Sequence, residues 1–86
     1  MPIKNSFARV LKQKRKILNL SQEVLAEKSG LSIRSISLFE CAKQEPLLSS
    51  ICYIAKALEI SATELMYVIE KDLQNQGLVV NESMHD

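Results

Sequence analysis

Four side chains near the middle of the 86-residue chain form a regular array: Ile33, Arg34, Ser37 and Leu38. If residues 32–41 are helical, each position advances about 100° around the axis. Ile36, Phe39 and Glu40 then gather near about 290°, while the four residues and Cys41 gather near about 70°, on the opposite side. That second face combines a guanidinium fork, a hydroxyl and small apolar groups. A bidentate arginine reads guanine, a serine hydroxyl suits either kind of base edge, and apolar groups suit the thymine methyl. The chemistry implied is recognition rather than bond-making. Arg34 meets a guanine or, failing that, a phosphate; the plainer reading is a solvated surface arginine. Ile33 divides evenly between base contact and packing on the preceding helix. Leu38, opposite the core, needs a partner, whether protein or DNA.

Ser21 and Ser32 extend this pattern. Each sits where a helix begins, and its hydroxyl can accept a backbone N–H that the first turn leaves unpaired. Beyond capping, the N–H groups and positive dipole end of such a helix favour a phosphate oxygen. Gln22, first in its helix, adds a side-chain donor for the same phosphate, or is simply solvated.

Little else supports chemistry of another kind. No nucleophile is paired with a base and no carboxylates cluster in a plausible cleft, so the chain is not expected to be an enzyme or to hold a cofactor. Cys41, Cys52 and the single histidine, His85, lack metal-ligand spacing, and both cysteines are expected to be reduced. No apolar stretch suits a signal peptide or a membrane span, which predicts a cytoplasmic protein without membrane contact. The net charge is only +1, yet residues 1–43 hold nine Lys/Arg against three acids and residues 44–86 hold two against seven. A basic half of net +6 beside an acidic half of net −5 is the distribution that a phosphate backbone favours.

The elements that must position these groups are helices. Phe7, Leu11, Lys14 and Leu18, with Val10 and Ile17 alongside, predict a first helix over about Ser6 to Leu18. Ser21 opens a short second helix with Leu25 and Ala26 inward, and Gly30 ends it. Ser32 opens the third, so that Ser29 to Ser32 form the turn of a helix-turn-helix. Beyond Pro46, the residues Leu48, Ile51, Ile54, Ala55 and Leu58 predict the buried stripe of a fourth helix. A capping box, Ser61-Ala62-Thr63-Glu64, opens a fifth, which buries Leu65, Met66, Ile69 and Leu73 and reaches about Gln76, before Gly77. No alternating run long enough for a sheet occurs. The chain is read as one all-α domain over 1–77 with a short C-terminal tail at 78–86.

Lys12, Arg15, Leu20-Ser21-Gln22-Glu23, Leu25-Ala26, Gly30-Leu31-Ser32, Ile36-Ser37 and Glu40 together resemble the phage-repressor-like (Xre/Cro) helix-turn-helix family. The pattern continues through Pro46, Ile54-Ala55, Ala57-Leu58, Ile60 and Leu65 and covers roughly residues 7–65. The resemblance implies a compact five-helix fold of the lambda-repressor-like type, with the third helix in the major groove. It implies that Ile33, Arg34, Ser37 and Leu38 face bases, that Gln22 and Lys12 touch phosphate, and that Arg15 and Glu40 pair across helices. Ala42 stands where the family usually has glycine, Cys41 replaces a polar residue, and Leu47 replaces a helix cap. The first two leave Lys43 as the contributor of phosphate contact after the third helix.

One short recognition helix reads too few base pairs alone, and a homodimer would read two half-sites. Tyr67, Val68 and Ile69 on the fifth helix are the candidates for a two-fold interface, extended by Leu78 to Val80; the alternative is that they cover the chain's own core. The expected function is a sequence-specific transcription regulator at a double-stranded DNA operator. Phage repressors, restriction–modification controllers and antitoxins all occur in the family, and a controller or repressor is slightly favoured. RNA polymerase or a protein inducer are candidate further partners. An antitoxin or other protein-interaction module is the competing reading.

Overall fold

A computed structural model describes residues 2–77; Met1 and residues 78–86, with Leu78 to Val80 and His85, lie outside the description. Among the described residues there are five helices and no strand. The first, α1 (Pro2–Ile17), begins earlier than the expected Ser6. Proline suits a helix start, because its fixed φ is helical and the missing N–H would have no partner there. The added turn carries Ile3 onto the core and Ser6 into complete burial. At the other end, Ile17 and Leu18 are exposed rather than buried. The helix ends at Ile17, and Leu20 packs against the core in their place.

The second helix, α2 (Gln22–Ser29), buries Leu25, Ala26 and Ser29. Its exit uses Gly30 at φ 77°, whose N–H bonds Ala26 O at 2.9 Å. The third, α3 (Ile33–Glu40), buries Ile36, Phe39 and Glu40. The fourth, α4 (Leu48–Ala57), buries Ile51, Ile54, Ala55 and Ala57, and Leu58 follows as a buried cap. Leu48 belongs to no buried stripe: at the first position of α4 it is 80% exposed. The fifth, α5 (Ala62–Gly77), opens on Ser61, whose Oγ accepts Glu64 N–H at 3.0 Å. It buries Leu65 and Ile69, leaving Met66 exposed and Leu73 half-buried.

Helix α1 packs on α3 and α5, α2 on α3 and α4, and α4 on α5. The core is aliphatic around one aromatic pair, Phe7 and Phe39, edge to face with centroids 5.5 Å apart. Leu11, Leu25, Ile36, Ile54 and Leu65 are fully buried within it. At about 1.5–3 kcal/mol each, such side chains are the main force holding short helices together.

Three other helices end in left-handed turns, of which the sequence pointed only to the one at Ala42, where the family usually has glycine. Asn19, Ala42 and Glu59 all have positive φ, near 60°. In each, the next residue donates back five positions: Leu20 to Arg15 O, Lys43 to Leu38 O and Ile60 to Ala55 O, all at 2.9–3.0 Å. These are Schellman motifs, which glycine usually serves. Ala42 therefore ends α3 at Glu40 with backbone strain instead of letting it run on.

Candidate nucleic-acid interface

The turn between α2 and α3 is short and tied down. Ser29 Oγ donates to Ala26 O at 3.2 Å and accepts Leu31 N–H at 3.3 Å. Leu31 packs against the core, so both helix starts are fixed on one rigid body. Ser21 Oγ caps α2 by accepting Val24 N–H at 3.1 Å. Ser32 Oγ accepts Ser35 N–H and donates to Ser35 Oγ, each at 3.0 Å. One side-chain cap satisfies one of the orphan donors, and the first N–H groups of both helices remain at the helix ends.

The two faces of α3 separate as helical periodicity requires. Ile36, Phe39 and Glu40 are buried, whereas Ile33, at 45% exposure, Arg34 and Cys41 are exposed. Ser37 and Leu38 are half-buried. Leu38 is therefore not the fully exposed residue expected opposite the core: it lies at the edge of the solvent face, toward Phe39. Lys43 is exposed just beyond the strained Ala42.

Behind α3 lies a polar network. Arg15 Nε donates to Glu40 Oε2 at 2.6 Å and Arg15 Nη2 to Glu40 Oε1 at 2.9 Å, a bidentate pair. Arg15 Nη1 closes the chain by donating to Leu20 O at 2.8 Å. Gln22 Nε2 donates to Glu40 Oε1 at 3.0 Å, which joins the first residue of α2 to the last of α3. The Glu40 side chain is 2% exposed and that of Arg15 12%. Burial pushes the Glu40 carboxyl upward, but hydrogen bonds from Arg15 and Gln22 and the charges of Arg15 and Lys12 outweigh it and hold it below its ordinary value. The hydrogen bond to Glu40 in turn raises Arg15. Both groups stay charged and satisfied, as a buried pair must.

Sequence reasoning did not see the Gln22–Glu40 bond, because Gln22 at a helix start points equally well to solvent or to a neighbour. It also missed the Arg9–Asp72 pair, 2.9 Å across α1 and α5. Burial would raise Asp72, but Arg9 beside it holds the carboxyl below its ordinary value. Ser6 Oγ, wholly buried nearby, completes no hydrogen bond of good geometry. Asp72 thus turns toward α1.

The expected dimer residues separate in space. Tyr67 is 58% exposed, with Lys71 Nζ 5.7 Å from its ring centroid. Val68 is half-buried against the core, and Ile69 is 2% exposed within it. Ile69 must be removed from the candidate interface: four positions from Leu65, it shares the inward side of α5. An open apolar groove of ≈ 720 Å³ runs beside Tyr67 instead, lined by Ile3, Leu48, Cys52 and Met66 among others. Cys41 and Cys52 are free and exposed, and no metal-holding cluster of His, Cys, Asp and Glu occurs among the described residues. No described helix is long and apolar enough to cross a membrane.

Comparison with known proteins adds a second line of observation. A family described as Helix-turn-helix matches residues 11–65. Control protein C.SmaI of Serratia marcescens is 41% identical over 66 residues, spanning 77% of this chain and 79% of the relative. Among solved structures, the restriction-modification controller protein C.AhdI from Aeromonas hydrophila matches with a TM-score of 0.67 at 35% identity, over 70% of this chain and 91% of that one. The wild-type restriction-modification controller protein C.Esp1396I matches with a TM-score of 0.78 at 27% identity, over 86% of this chain and 95% of that one.

Proposed function

Because the chain belongs to the helix-turn-helix family, of the phage-repressor-like type, we propose that it is a sequence-specific double-stranded DNA-binding transcription regulator. The observation that carries this reading is the solvent face of α3. Ile33 and Arg34 stand exposed, with Ser37 half-buried beside them, on a helix whose other side is locked into the core. In the major groove, Arg34 meets a guanine edge, Ser37 a base edge, and Ile33 and Leu38 offer apolar contact. Ser21, Gln22, Ser32, Lys12 and Lys43 approach backbone phosphates, with Gln22 directed by its bond to Glu40.

The protein acts as a homodimer reading two half-sites, with residues 1–77 forming the DNA-binding and dimerising unit. Tyr67 and Val68 contribute to the two-fold interface, joined by the exposed Leu48 and Met66 beside the groove. Regulation follows from occupancy, by excluding RNA polymerase or touching it. The relatives point to control of a restriction–modification system, and no catalytic step is involved.

The test is fluorescence anisotropy on duplex DNA from upstream of the protein's own gene, beside a scrambled duplex. Tight, salt-sensitive binding to the upstream duplex alone is the expected result. No binding to either duplex at low salt would contradict the reading.

A further inference from the structure

The positive charge of residues 1–43 is not spread evenly over the surface. Arg9, Lys12, Gln13 and Lys16 line one open cleft of ≈ 280 Å³, completed by Ala8 and Glu40. Their three- and four-residue spacing sets them in a column along one side of α1. Glu40 is no obstacle to an anion here: one oxygen takes Arg15 Nε, and the other takes Arg15 Nη2 and Gln22 Nε2. Because Glu40 touches both the cleft and Gln22, the column adjoins the start of α2. Arg9, at its far end, is held by Asp72. Lys12, Gln13 and Lys16 are exposed, and neither lysine has an ion-pair partner among the described residues.

We infer that Lys12, Gln13 and Lys16 form a second seat for the duplex backbone, contacted from α1 beside the phosphate that α2 approaches. The inference rests on the DNA-binding reading and adds Gln13 and Lys16 to it. Successive phosphates of one strand advance about 3.4 Å along the duplex axis. Lys12 and Lys16 are about 6 Å apart along α1, so a strand meeting Gln22 presents further phosphates within their reach. Two flexible ammonium groups and a neutral amide donor suit phosphodiester oxygens without selecting a base.

Anisotropy titrations on one duplex over a series of salt concentrations test the seat. Wild type is compared with Lys16→Gln and with the Lys12→Gln/Lys16→Gln double variant. Lys56→Gln, on the exposed side of α4, controls for loss of a charge elsewhere. Because the dimer carries each lysine twice, the slope of log K against log salt becomes shallower by about two units for Lys16→Gln and about four for the double variant. Lys56→Gln keeps the wild-type slope; Lys16→Gln and Lys56→Gln melt with wild type because both lysines are exposed, and the double variant, which also loses the charge of Lys12 near Glu40, stays folded at the temperature of the titration. An unchanged slope for Lys16→Gln overturns the seat and leaves the DNA-binding reading standing. So does an equal change in Lys56→Gln, since binding then answers to net charge alone. A wild-type protein that binds no duplex at low salt removes both.

Discussion

The α1–α3 side and the α4–α5 side of this small domain solve opposite problems. Around α3 the polar groups are tied in: Glu40 is wholly engaged by Arg15 and Gln22, and both serine caps are made. What remains exposed there is a short row of side chains on a fixed helix. Between α4 and α5 the surface is apolar and open, with Leu47, Leu48, Met66 and Tyr67 left to solvent. Satisfied polar networks fix geometry, which reading a base edge requires; unsatisfied apolar surface signals a partner still to come. The two ion pairs draw the same contrast. Arg15–Glu40 is nearly buried, whereas Arg9 of the second pair is 40% exposed and its pair belongs to the class worth little.

Arg15→Ala breaks the first side. It strands the buried Glu40 charge and costs about 3 kcal/mol, read as a lowered midpoint in thermal or denaturant unfolding. A melt that coincides with wild type would mean that the network is not what fixes α3. The pair also sets a pH dependence. Glu40 is held below its ordinary value when folded, so its stabilisation is complete above the ordinary carboxylate range and is lost as pH falls through the folded value. Unfolding from about pH 5 downward therefore steepens in wild type and flattens in Glu40→Gln, whose neutral amide no longer titrates.

Leu48→Asp with Tyr67→Ala acts on the second side. The monomer melts as before, because both residues are exposed, while self-association in sedimentation equilibrium weakens tenfold or more, about 1.4 kcal/mol. Unchanged association places the two-fold elsewhere. Ala42→Gly has the smallest effect and the opposite sign: relief of the left-handed strain at φ 58° stabilises the fold by about 0.5–1 kcal/mol in chemical denaturation.

The sequence made the first side far more legible than the second. Caps at Ser21 and Ser32 and the exit at Gly30 follow from local chemistry, and the burial of Ile36 and Phe39 follows from period alone. The Schellman turns at Asn19 and Glu59 were hidden, because tertiary packing holds residues other than glycine in that conformation, whereas the one at Ala42 was marked by the glycine it replaces. Periodicity misplaced Ile17, Leu18 and Leu48, since it assigns a direction but cannot tell where the core ends. Ile69 was counted on both sides of α5, and only the packed structure decides for the core. Contacts far apart in the chain, Gln22–Glu40 and Arg9–Asp72, leave no local pattern to read.

The central claim is that α3 reads sequence through its solvent face, and Arg34→Ala tests it most directly. The quantity to measure is the ratio of affinities for the upstream duplex and a scrambled duplex, in wild type and variant, at one salt concentration. Arg34 is exposed, so the variant folds normally. Loss of about 1–3 kcal/mol on the upstream duplex with little change on the scrambled one is the predicted result. Equal weakening on both duplexes, which leaves the ratio unchanged, would make Arg34 a phosphate contact and contradict the claim that it carries the specificity of this face of α3.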